Sequence, residues 1–340
     1  MDKRLMLIGP GALGKARARC LNDIDGVRLV AVASRTPERA EAAAHELSIP
    51  LWGTDLDHLA DLKNPHGVVI AATNDAHYSL VKWALLRDLD VLVEGPMCTS
   101  SVQAEELSNL AIQKRRIIEV GFQRRYHPTI QRARQKLKSG DWGALIYGEL
   151  EFFHNMRPAH GAPDPWYLSH QTSGGMAVAH MAYGLNTLRY VLGDPAEVFA
   201  AGNNLLFHKP GQIEHDTISA TLMYNNGAVA QIVANFSAPP NFPTGVFKAH
   251  GTTGGFALQI LEAPQGTFWN SEEQEDVRLV EGFDDLRAQC EAFVAALHDG
   301  PLSSQPRQEL LNAPLDSWRE LRIIEGVIKS VELRVPVAVP

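Results

Sequence analysis

The sequence predicts an α/β fold, with an N-terminal doubly wound parallel sheet and a C-terminal α+β domain whose open sheet is mostly antiparallel. Two observations support this. Over the first third, short apolar runs alternate with helix-compatible segments, as in a doubly wound sheet. Beyond residue 121, β-rich runs dominate, and an Asn-Asn-Gly turn at 225–227 joins two of them as an antiparallel hairpin. We therefore place the domains at 1–121 and 122–340.

The individual elements follow from the apolar runs and from the breaker residues between them. In the first domain we predict strands at 5–8, 27–33, 67–72, 90–94 and 117–120, helices at 15–22, 37–47 and 101–114, and a helix ending at 86. A loop runs through Trp52 and Asp55. In the second domain we predict helices at 128–138, 175–192, 283–297 and 313–331, and strands at 146–154, 198–206, 217–224, 228–236 and 246–249.

Residues 9–14 read Gly-Pro-Gly-Ala-Leu-Gly and join the first strand to the first helix. Gly9 permits a tight turn, Gly11 lets the backbone approach a pyrophosphate, and Gly14 lets helix and strand pack closely. The anion would bind the unpaired N–H groups at the helix N-terminus. This order indicates a Rossmann dinucleotide-binding domain with Ala12 and Leu13 also at the cofactor, a nucleotide-free turn being the alternative.

The second strand ends in Ser34-Arg35-Thr36, where an NAD site usually carries an acidic residue that binds the ribose. No carboxylate here repels a 2′-phosphate, and a guanidinium with two hydroxyls can bind one through charge-assisted hydrogen bonds. We therefore predict NADP(H), with NAD(H) the less favoured cofactor. The alternative is a solvated arginine beside an N-cap, because Thr36 precedes a proline at the first helical position.

Composition limits the classes of function. An apolar content of 45%, a charged content of 21% and a net charge of −8 suit a globular enzyme and argue against nucleic acid as partner. We expect no signal peptide and no membrane span, because the first apolar run is short and none approaches 18 residues. Three distant cysteines, Cys20, Cys98 and Cys290, show no zinc or disulfide spacing, which predicts a reducing cytoplasm.

Four segments together resemble the glucose–fructose oxidoreductase, inositol dehydrogenase and rhizopine-catabolism family (Gfo/Idh/MocA). They are residues 9–14, Ala-Ala-Thr-Asn-Asp-Ala-His at 71–77, Glu-Gly-Pro at 94–96 with 120–128, and Ser-Gly-Gly at 173–175 with the helix ending at 193. The resemblance implies hydride transfer to or from a sugar, cyclitol or similar carbonyl compound. It also implies a homodimer or homotetramer formed through the C-terminal sheet. The cofactor contacts expected in the matched segments are Thr73, Asn74, His77, Glu94, Gly95 and Gln123.

The sequence departs from that family at the residues that move the proton. The usual Glu-Lys-Pro is Glu94-Gly95-Pro96, which removes the lysine. The usual Asp-x-Gly-x-His aligns with residues 179–183, so that alanine stands at the Asp position and Tyr183 at the His position. The standard acid–base set is absent, which argues against lysine-assisted oxidation of a polyol.

Two residues on the helix at 175–192 are candidate proton donors. At 100° per residue, Met181, Leu185, Leu188 and Leu192 form an apolar stripe, and Tyr183 and Asn186 lie on the opposite side and can face a cleft. Tyr183 is the first candidate acid and His180 the second. The alternatives are a packing tyrosine with a satisfied hydroxyl and a hydrogen-bonded structural histidine.

Substrate contacts are expected from two further segments. Arg125, after the last Rossmann strand, can hold a carboxylate bidentately, although a surface ion pair explains it as well. The loop that follows the strand at 146–154 is polar and aromatic enough to wall a substrate site, an ordinary crossover loop being the alternative. Its candidates are Trp166 and Tyr167, joined by Asn155, Arg157, His160, Asp164 and His170; Asn186 on the helix completes the set. The histidines lack metal spacing, so no metal is expected.

These observations together predict an NADP(H)-dependent oxidoreductase acting on a sugar-like, keto or imine small molecule, and favour the reductive direction. Loss of the lysine matters least for a substrate that is already cationic or conjugated, because less alkoxide character then develops. The competing hypothesis is a non-catalytic NADP(H)-binding sensor, which an intact cofactor site with a degraded acid–base set would suit.

Overall fold

In the computed structural model, the described residues are 2–158, 165–240, 242, 245–261, 265–270, 273–278, 283–297 and 310–339. The chain forms two compact units. The first comprises Met1–Gln123 and Asp284–Trp318, and the second comprises Arg124–Phe283 and Arg319–Pro340. Among the described residues, no helix is both long enough and apolar enough to cross a bilayer.

The first unit contains a six-stranded parallel sheet in the order β3-β2-β1-β4-β5-β6. Its strands are β1 Lys3–Ile8, β2 Val27–Ala33, β3 Trp52–Gly53, β4 Gly67–Ile70, β5 Asp90–Glu94 and β6 Ile118–Gly121. Its first five helices are α1 Ala12–Asn22, α2 Pro37–Leu47, α3 Leu56–Lys63, α4 Asn74–Leu86 and α5 Ser101–Lys114. β4 and β5 are buried along their whole length, as expected when helices cover both faces of a parallel sheet.

A late helix, α9 at Asp285–Ala296, belongs to this first unit. It packs against α1 and buries Cys290 and Phe293 in the core around Leu5, Leu7 and Leu21. The sequence assigns all of 122–340 to the second domain, whereas the structure groups 284–318 with the first unit. The physical reason is that α9 completes the apolar cover of α1, which a reading of consecutive segments does not reveal.

The second unit is built on a nine-stranded sheet in the order β14-β13-β12-β11-β7-β10-β9-β8-β15. Its strands are β7 Leu145–Phe153, β8 Glu197–Asn203, β9 Thr217–Met223, β10 Val229–Asn235, β11 Val246–Gly251, β12 Gly254–Gln259, β13 Gln265–Asn270, β14 Gln274–Arg278 and β15 Val337–Ala338. Its helices are α6 Pro128–Ser139, α7 His170–Ser173 and α8 Ala182–Leu192, and α10 spans Pro314–Leu333. All strand pairs are antiparallel except β10 with β7, and α8 lies on one face, where Gly184 meets Leu150 and Ile232.

The predicted fold class is confirmed: a parallel Rossmann sheet is joined to a mostly antiparallel sheet. The predicted hairpin at 225–227 connects β9 to β10, with Gly227 at φ +85°. The sequence reading missed α3 and the short strands β3 and β12–β15. It also made one helix of 175–192, whereas a π-helical turn at Ala177–Met181 precedes α8.

Candidate functional site

The glycine turn before α1 has the geometry that its sequence predicts. Gly9 has φ +89°, and a Cβ there would lie 2.5 Å from the Ala71 carbonyl oxygen. A Cβ on Gly14 would lie 2.2 Å from the Gly9 carbonyl oxygen, so both positions require glycine. α1 begins at Ala12 without a side-chain cap, which leaves its first N–H groups available to an anion.

Polar atoms around this turn fit a dinucleotide. A Cβ on Gly11 would meet no atom within 4 Å, so steric demand inside the protein does not explain that glycine, whereas close approach of a pyrophosphate does. Thr73 Oγ1 and Gln123 Oε1 are buried, and neither has a hydrogen-bond partner among the described residues. Leu13 leaves 49% of its surface exposed at the helix start. These open donors and acceptors are what a bound nucleotide would satisfy.

The end of β2 is basic and carries no carboxylate. Ser34 accepts a hydrogen bond from the Thr36 N–H at 3.3 Å, and the Thr36 side chain makes no capping bond to α2. Arg35 is exposed, as is Arg39 in the first turn of α2, and neither forms an ion pair with another described residue. Two unpaired guanidinium groups and a free hydroxyl are therefore available beside the strand end.

His77 and Asn74, at the start of α4, are both buried. The His77 ring nitrogens each face a backbone carbonyl, Nδ1 at 2.7 Å from Pro96 O and Nε2 at 3.1 Å from Ala72 O. Burial lowers the pKa of His77 despite these carbonyls. The ring thus joins the loops that follow β4 and β5, which gives the predicted cofactor contact a positioning role.

Glu94, another predicted cofactor contact, forms an ion pair with Arg17 of the first unit. Its Oε1 accepts from Arg17 Nε at 2.6 Å and its Oε2 from Arg17 Nη2 at 3.4 Å, with both side chains buried. The carboxylate thus neutralises a buried guanidinium from α1, and its contact with the cofactor stays a prediction. At Gly95 a Cβ would lie 2.4 Å from Phe122 Cε1, so the phenyl ring fills the space that a side chain at residue 95 would need.

In the second unit, Arg125 and Asn186 are buried in one polar network. Arg125 Nε donates to Asn186 Oδ1 at 2.8 Å, and Asn186 Nδ2 donates to Glu320 Oε2 at 2.8 Å. The Arg125 guanidinium also lies 5.1 Å from the Tyr190 ring centroid. Both residues were predicted as substrate contacts; the structure places them in this internal network, and their contact with a substrate stays a prediction. On the helix face that the sequence reading turned toward a cleft, Asn186 therefore hydrogen-bonds to Glu320 of α10.

Tyr183, His180 and Tyr167 come together around Phe152 and Phe236 in an aromatic cluster. Tyr183 stacks on Phe152 with centroids 6.5 Å apart, and Tyr167 contacts Phe236 at 6.3 Å. The His180 ring lies between the two phenylalanines, at 4.7 and 4.4 Å. Trp166 extends the cluster from Tyr167 and is 42% exposed. Four of the predicted catalytic or substrate residues therefore lie in one cluster.

The His180 ring is buried and hydrogen-bonded to the main chain, as in a structural histidine. Its Nε2 lies 3.0 Å from the Phe152 carbonyl oxygen, and the Asn235 carbonyl also bonds the ring. Burial, together with the neighbouring His154, holds the pKa of His180 well below its usual range. A ring that is neutral and bonded to main-chain carbonyls is a poor proton donor, so Tyr183 remains the stronger of the two candidates.

Of the loop predicted to wall the substrate site, His160 and Asp164 lie outside the described residues. His170 pairs with Glu214 at 2.6 Å, with both side chains about half exposed. Arg157 donates to the Ser237 carbonyl at 2.8 Å, and Asn155 bridges to the same residue. These bonds tie the start of the loop to the segment after β10.

Models of one protein family match segments of both units. Residues 3–122 match the GFO/IDH/MocA model described as an oxidoreductase family with an NAD-binding Rossmann fold, and residues 130–257 match the GFO/IDH/MocA C-terminal domain. The chain belongs to the GFO/IDH/MocA oxidoreductase family. The glycine turn of this family member, with its open Gly11, therefore lies in a domain whose family description is NAD-binding.

Individual relatives of this GFO/IDH/MocA chain are distant. The scyllo-inositol 2-dehydrogenase (NAD(+)) of Bacillus subtilis (strain 168) is 26% identical over 241 residues, 69% of this chain and 68% of the relative. The D-xylose 1-dehydrogenase (NADP(+)) 2 of Haloferax volcanii is 27% identical over 314 residues, 89% of each. Levoglucosan dehydrogenase in complex with NADH and levoglucosan superposes with a TM-score of 0.88, covering 100% of both chains at 18% identity, which shows the fold alone.

Sequence reasoning missed His154 as a candidate for the site. It follows β7 on the side of the sheet that carries Leu150 and Phe152, and its ring contacts His180 at 4.8 Å. Nδ1 is buried without a partner among the described residues, and burial beside Arg124 lowers the pKa of His154. The alternation of buried residues along the strand was the available signal. No three His, Cys, Asp or Glu side chains of the described ranges gather as a metal would require.

Proposed function

We propose that the protein is an NADP(H)-dependent oxidoreductase that reduces a sugar-like, keto or imine small molecule. The observation that carries the cofactor choice is the end of β2, where Ser34-Arg35-Thr36 holds no carboxylate and exposed Arg35 and Arg39 form no ion pair with another described residue. A 2′-phosphate would receive charge-assisted hydrogen bonds from these groups and from Thr36. The names of the two curated relatives include both NAD(+) and NADP(+), so the family alone does not distinguish the two nucleotides, and the end of β2 is what supports NADP(H).

The first unit has the groups that a bound dinucleotide needs. The first N–H groups of α1 would hold the pyrophosphate, and Thr73 Oγ1 and Gln123 Oε1 would hydrogen-bond to it or to the rest of the nucleotide. When bound, the nicotinamide supplies the hydride. His77 and the Arg17–Glu94 pair keep the loops and helix around it in place without contacting it.

We propose that the proton that completes the reduction comes from the aromatic cluster of the second unit. His154 has no hydrogen-bond partner for its ring among the described residues, and its lowered pKa keeps the imidazole neutral near pH 7. An orphaned acceptor costs less than an orphaned donor, which favours the tautomer with the proton on Nε2. Tyr183 O–H is thus the proton donor that we propose, and His154 Nε2–H is a hydrogen-bond donor that would orient the substrate oxygen or nitrogen.

The absence of the family lysine shapes the proposed substrate class. With glycine at 95 and Phe122 filling the space, no side chain at this position can take the substrate hydroxyl proton. A cationic or conjugated acceptor needs less proton transfer at the moment of hydride arrival, so we propose the reductive direction on a keto or imine group. Names of relatives such as xylose and inositol dehydrogenases support a sugar-like framework.

The experiment that tests this function begins with calorimetric titration of the protein with NADPH and with NADH. We expect NADPH to bind more tightly by about tenfold or more, which corresponds to about 1.4 kcal/mol. NADPH oxidation is then followed with keto-sugars and cyclic imines. Tighter binding of NADH would contradict the cofactor assignment, and failure of every acceptor beside tight NADPH binding would contradict catalysis.

The second candidate function is a non-catalytic NADP(H)-binding sensor. The observations that favour it are the packed Gly95, which leaves no room for the family lysine, and the two carbonyls that occupy the His180 ring. Tight NADPH binding with no turnover of any acceptor would support this alternative.

We further propose that a second copy of the chain covers the open face of the nine-stranded sheet, as the family resemblance implies. That face carries a groove of about 620 Å³ lined by Tyr147, Lys248, His250 and Trp269. Sedimentation of the protein and of Trp269→Asp tests the proposal. We expect a dimer or tetramer that the substitution dissociates, and a monomeric wild type would contradict it.

A further inference from the structure

Cys20 and Cys290, 270 positions apart in the chain, lie together in the first unit. Cys20 is on α1, and Cys290 is on α9, which packs against it. Cys290 is fully buried in the core of the unit, whereas Cys20 packs on the edge of that core and is partly exposed. Both cysteines are free thiols. Cys20 is therefore accessible from solvent, whereas Cys290 lies in the core.

Charged neighbours differ at the two sulfurs. Arg17 Nη1 lies 3.7 Å from Cys290 Sγ, and Asp284 Oδ2 lies 3.9 Å from Cys20 Sγ. Glu94, the partner of Arg17, and Arg287 of α9 are further charged groups near the pair. The interaction between the two thiols raises the pKa of Cys20 and lowers that of Cys290, and the Arg17 guanidinium also lowers the pKa of Cys290.

We propose that Cys20 and Cys290 are a thiol pair that a low-molecular-weight organic disulfide oxidises reversibly to an intramolecular disulfide. The exposed Cys20 thiol loses its proton to solvent and attacks one sulfur of the reagent, and the thiolate that leaves is protonated by solvent. Cys290 then loses its proton to solvent and attacks Cys20 in the mixed disulfide, which expels the second thiolate. Two protein thiols are oxidised, and the reagent is reduced to two thiols.

The pair lies two turns from the start of α1, the helix whose N-terminus we assign to the pyrophosphate. Its chemistry does not depend on that assignment, because both cysteines, Arg17 and Asp284 belong to the same unit and need no nucleotide. The bond would connect α1 covalently to α9, which the sequence places 263 residues after the end of α1. Oxidation therefore adds a covalent bond between two elements that apolar packing and polar contacts otherwise hold together.

The test is incubation of the folded, full-length protein with oxidised glutathione, followed by non-reducing peptide mapping. We expect peptides containing Cys20 and Cys290 to be linked, and dithiothreitol to separate them. Of the three cysteine thiols, one should remain after oxidation, that of Cys98. Cys98 is a matched control, because it is buried in the same unit with its Sγ 3.4 Å from the Ser100 carbonyl, so Cys98→Ser should form the same link.

The single variants separate the two steps. Cys290→Ser should stop at a mixed disulfide of glutathione on Cys20, and Cys20→Ser should leave the buried Cys290 unmodified. A wild-type protein that keeps three free thiols, carries glutathione on Cys20 without a cross-link, or links two chains would overturn the proposal. The wild-type map alone decides this, whether or not the variants fold.

Discussion

Arg17 of α1 and Glu94 at the end of β5 form a buried, two-point ion pair, with Nε–Oε1 at 2.6 Å and Nη2–Oε2 at 3.4 Å. The pair fixes the glycine-turn helix to the strand whose following residues usually carry the family lysine. It therefore links the phosphate side of the nucleotide site to the loop at Gly95 within a single unit.

Replacing Arg17 by methionine leaves the Glu94 carboxylate buried and unpaired. We expect the free energy of unfolding to fall by about 3–5 kcal/mol, measured by urea denaturation. Arg19→Met is the matched control, since Arg19 is on the same helix and pairs with Glu46 in solvent, where the loss should stay below about 1 kcal/mol. Equal losses in the two variants would show that the buried pair contributes nothing particular.

Arg35→Ala should weaken NADPH binding and leave NADH binding unchanged, because only the 2′-phosphate meets the guanidinium. Loss of a charge-assisted hydrogen bond of about 1.5–3 kcal/mol predicts a roughly 10- to 100-fold rise in Kd for NADPH by calorimetry. Arg28→Ala, at the other end of β2, is the control. A rise in Kd for both nucleotides would assign Arg35 to a general electrostatic role.

Gly95→Ala places a methyl group against the Phe122 ring, where a Cβ would lie 2.4 Å from Cε1. Overpacking predicts a loss of about 1–3 kcal/mol in urea denaturation. Combining it with Phe122→Leu should recover part of the loss, since the smaller side chain opens the space. If Gly95→Ala alone is neutral, the space at residue 95 is not closed and a lysine there would be tolerated.

His127 caps α6 by accepting the Thr129 N–H at Nδ1, 3.2 Å away, and burial together with Arg124 lowers its pKa to about 4. The unfolded chain protonates this imidazole near pH 6.5 while the folded protein does not. Stability therefore falls as the pH drops from about 6.5 toward 4, by at most about 1.4 kcal/mol per pH unit from this residue.

The variant His127→Asn keeps an acceptor at the N-cap and removes the titration. Its free energy of unfolding should therefore fall less between pH 7 and pH 5 than that of the wild type, measured by urea denaturation at both values. The other buried histidines titrate in both proteins, so they cancel in the difference. Parallel pH profiles would show that His127 does not contribute.

Tyr183→Phe and His154→Gln test the proton assignment. If Tyr183 is the acid, kcat for the best acceptor should fall by about 10²-fold or more, with NADPH affinity retained. For His154→Gln we expect a higher KM and an altered pH profile, because the amide still donates but does not titrate. His208→Gln, an exposed histidine of the same unit, is the control. Unchanged turnover in Tyr183→Phe would remove the tyrosine from the mechanism.

The helices and strands that local signals define were predicted well. α2 and α5 begin and end at the predicted residues, because a proline at N1 and a serine N-cap mark their starts. The helix at 175–192 shows where periodicity fails. Its π turn breaks the 100° projection, and α8 is buried on both the sheet side and the α6 side, so the apolar stripe did not identify the exposed face.

Local chemistry within a few residues was sufficient for the glycine turn and the basic end of β2, because a tight turn and a carboxylate-free strand end need no distant partner. Local sequence patterns could not predict the interactions of Glu94, Arg125 and His180. Each is fixed by a group far along the chain, namely Arg17, Asn186 with Glu320, and the Phe152 carbonyl. Buried polar groups take whichever partner the packing supplies, and packing exists only once the chain has folded.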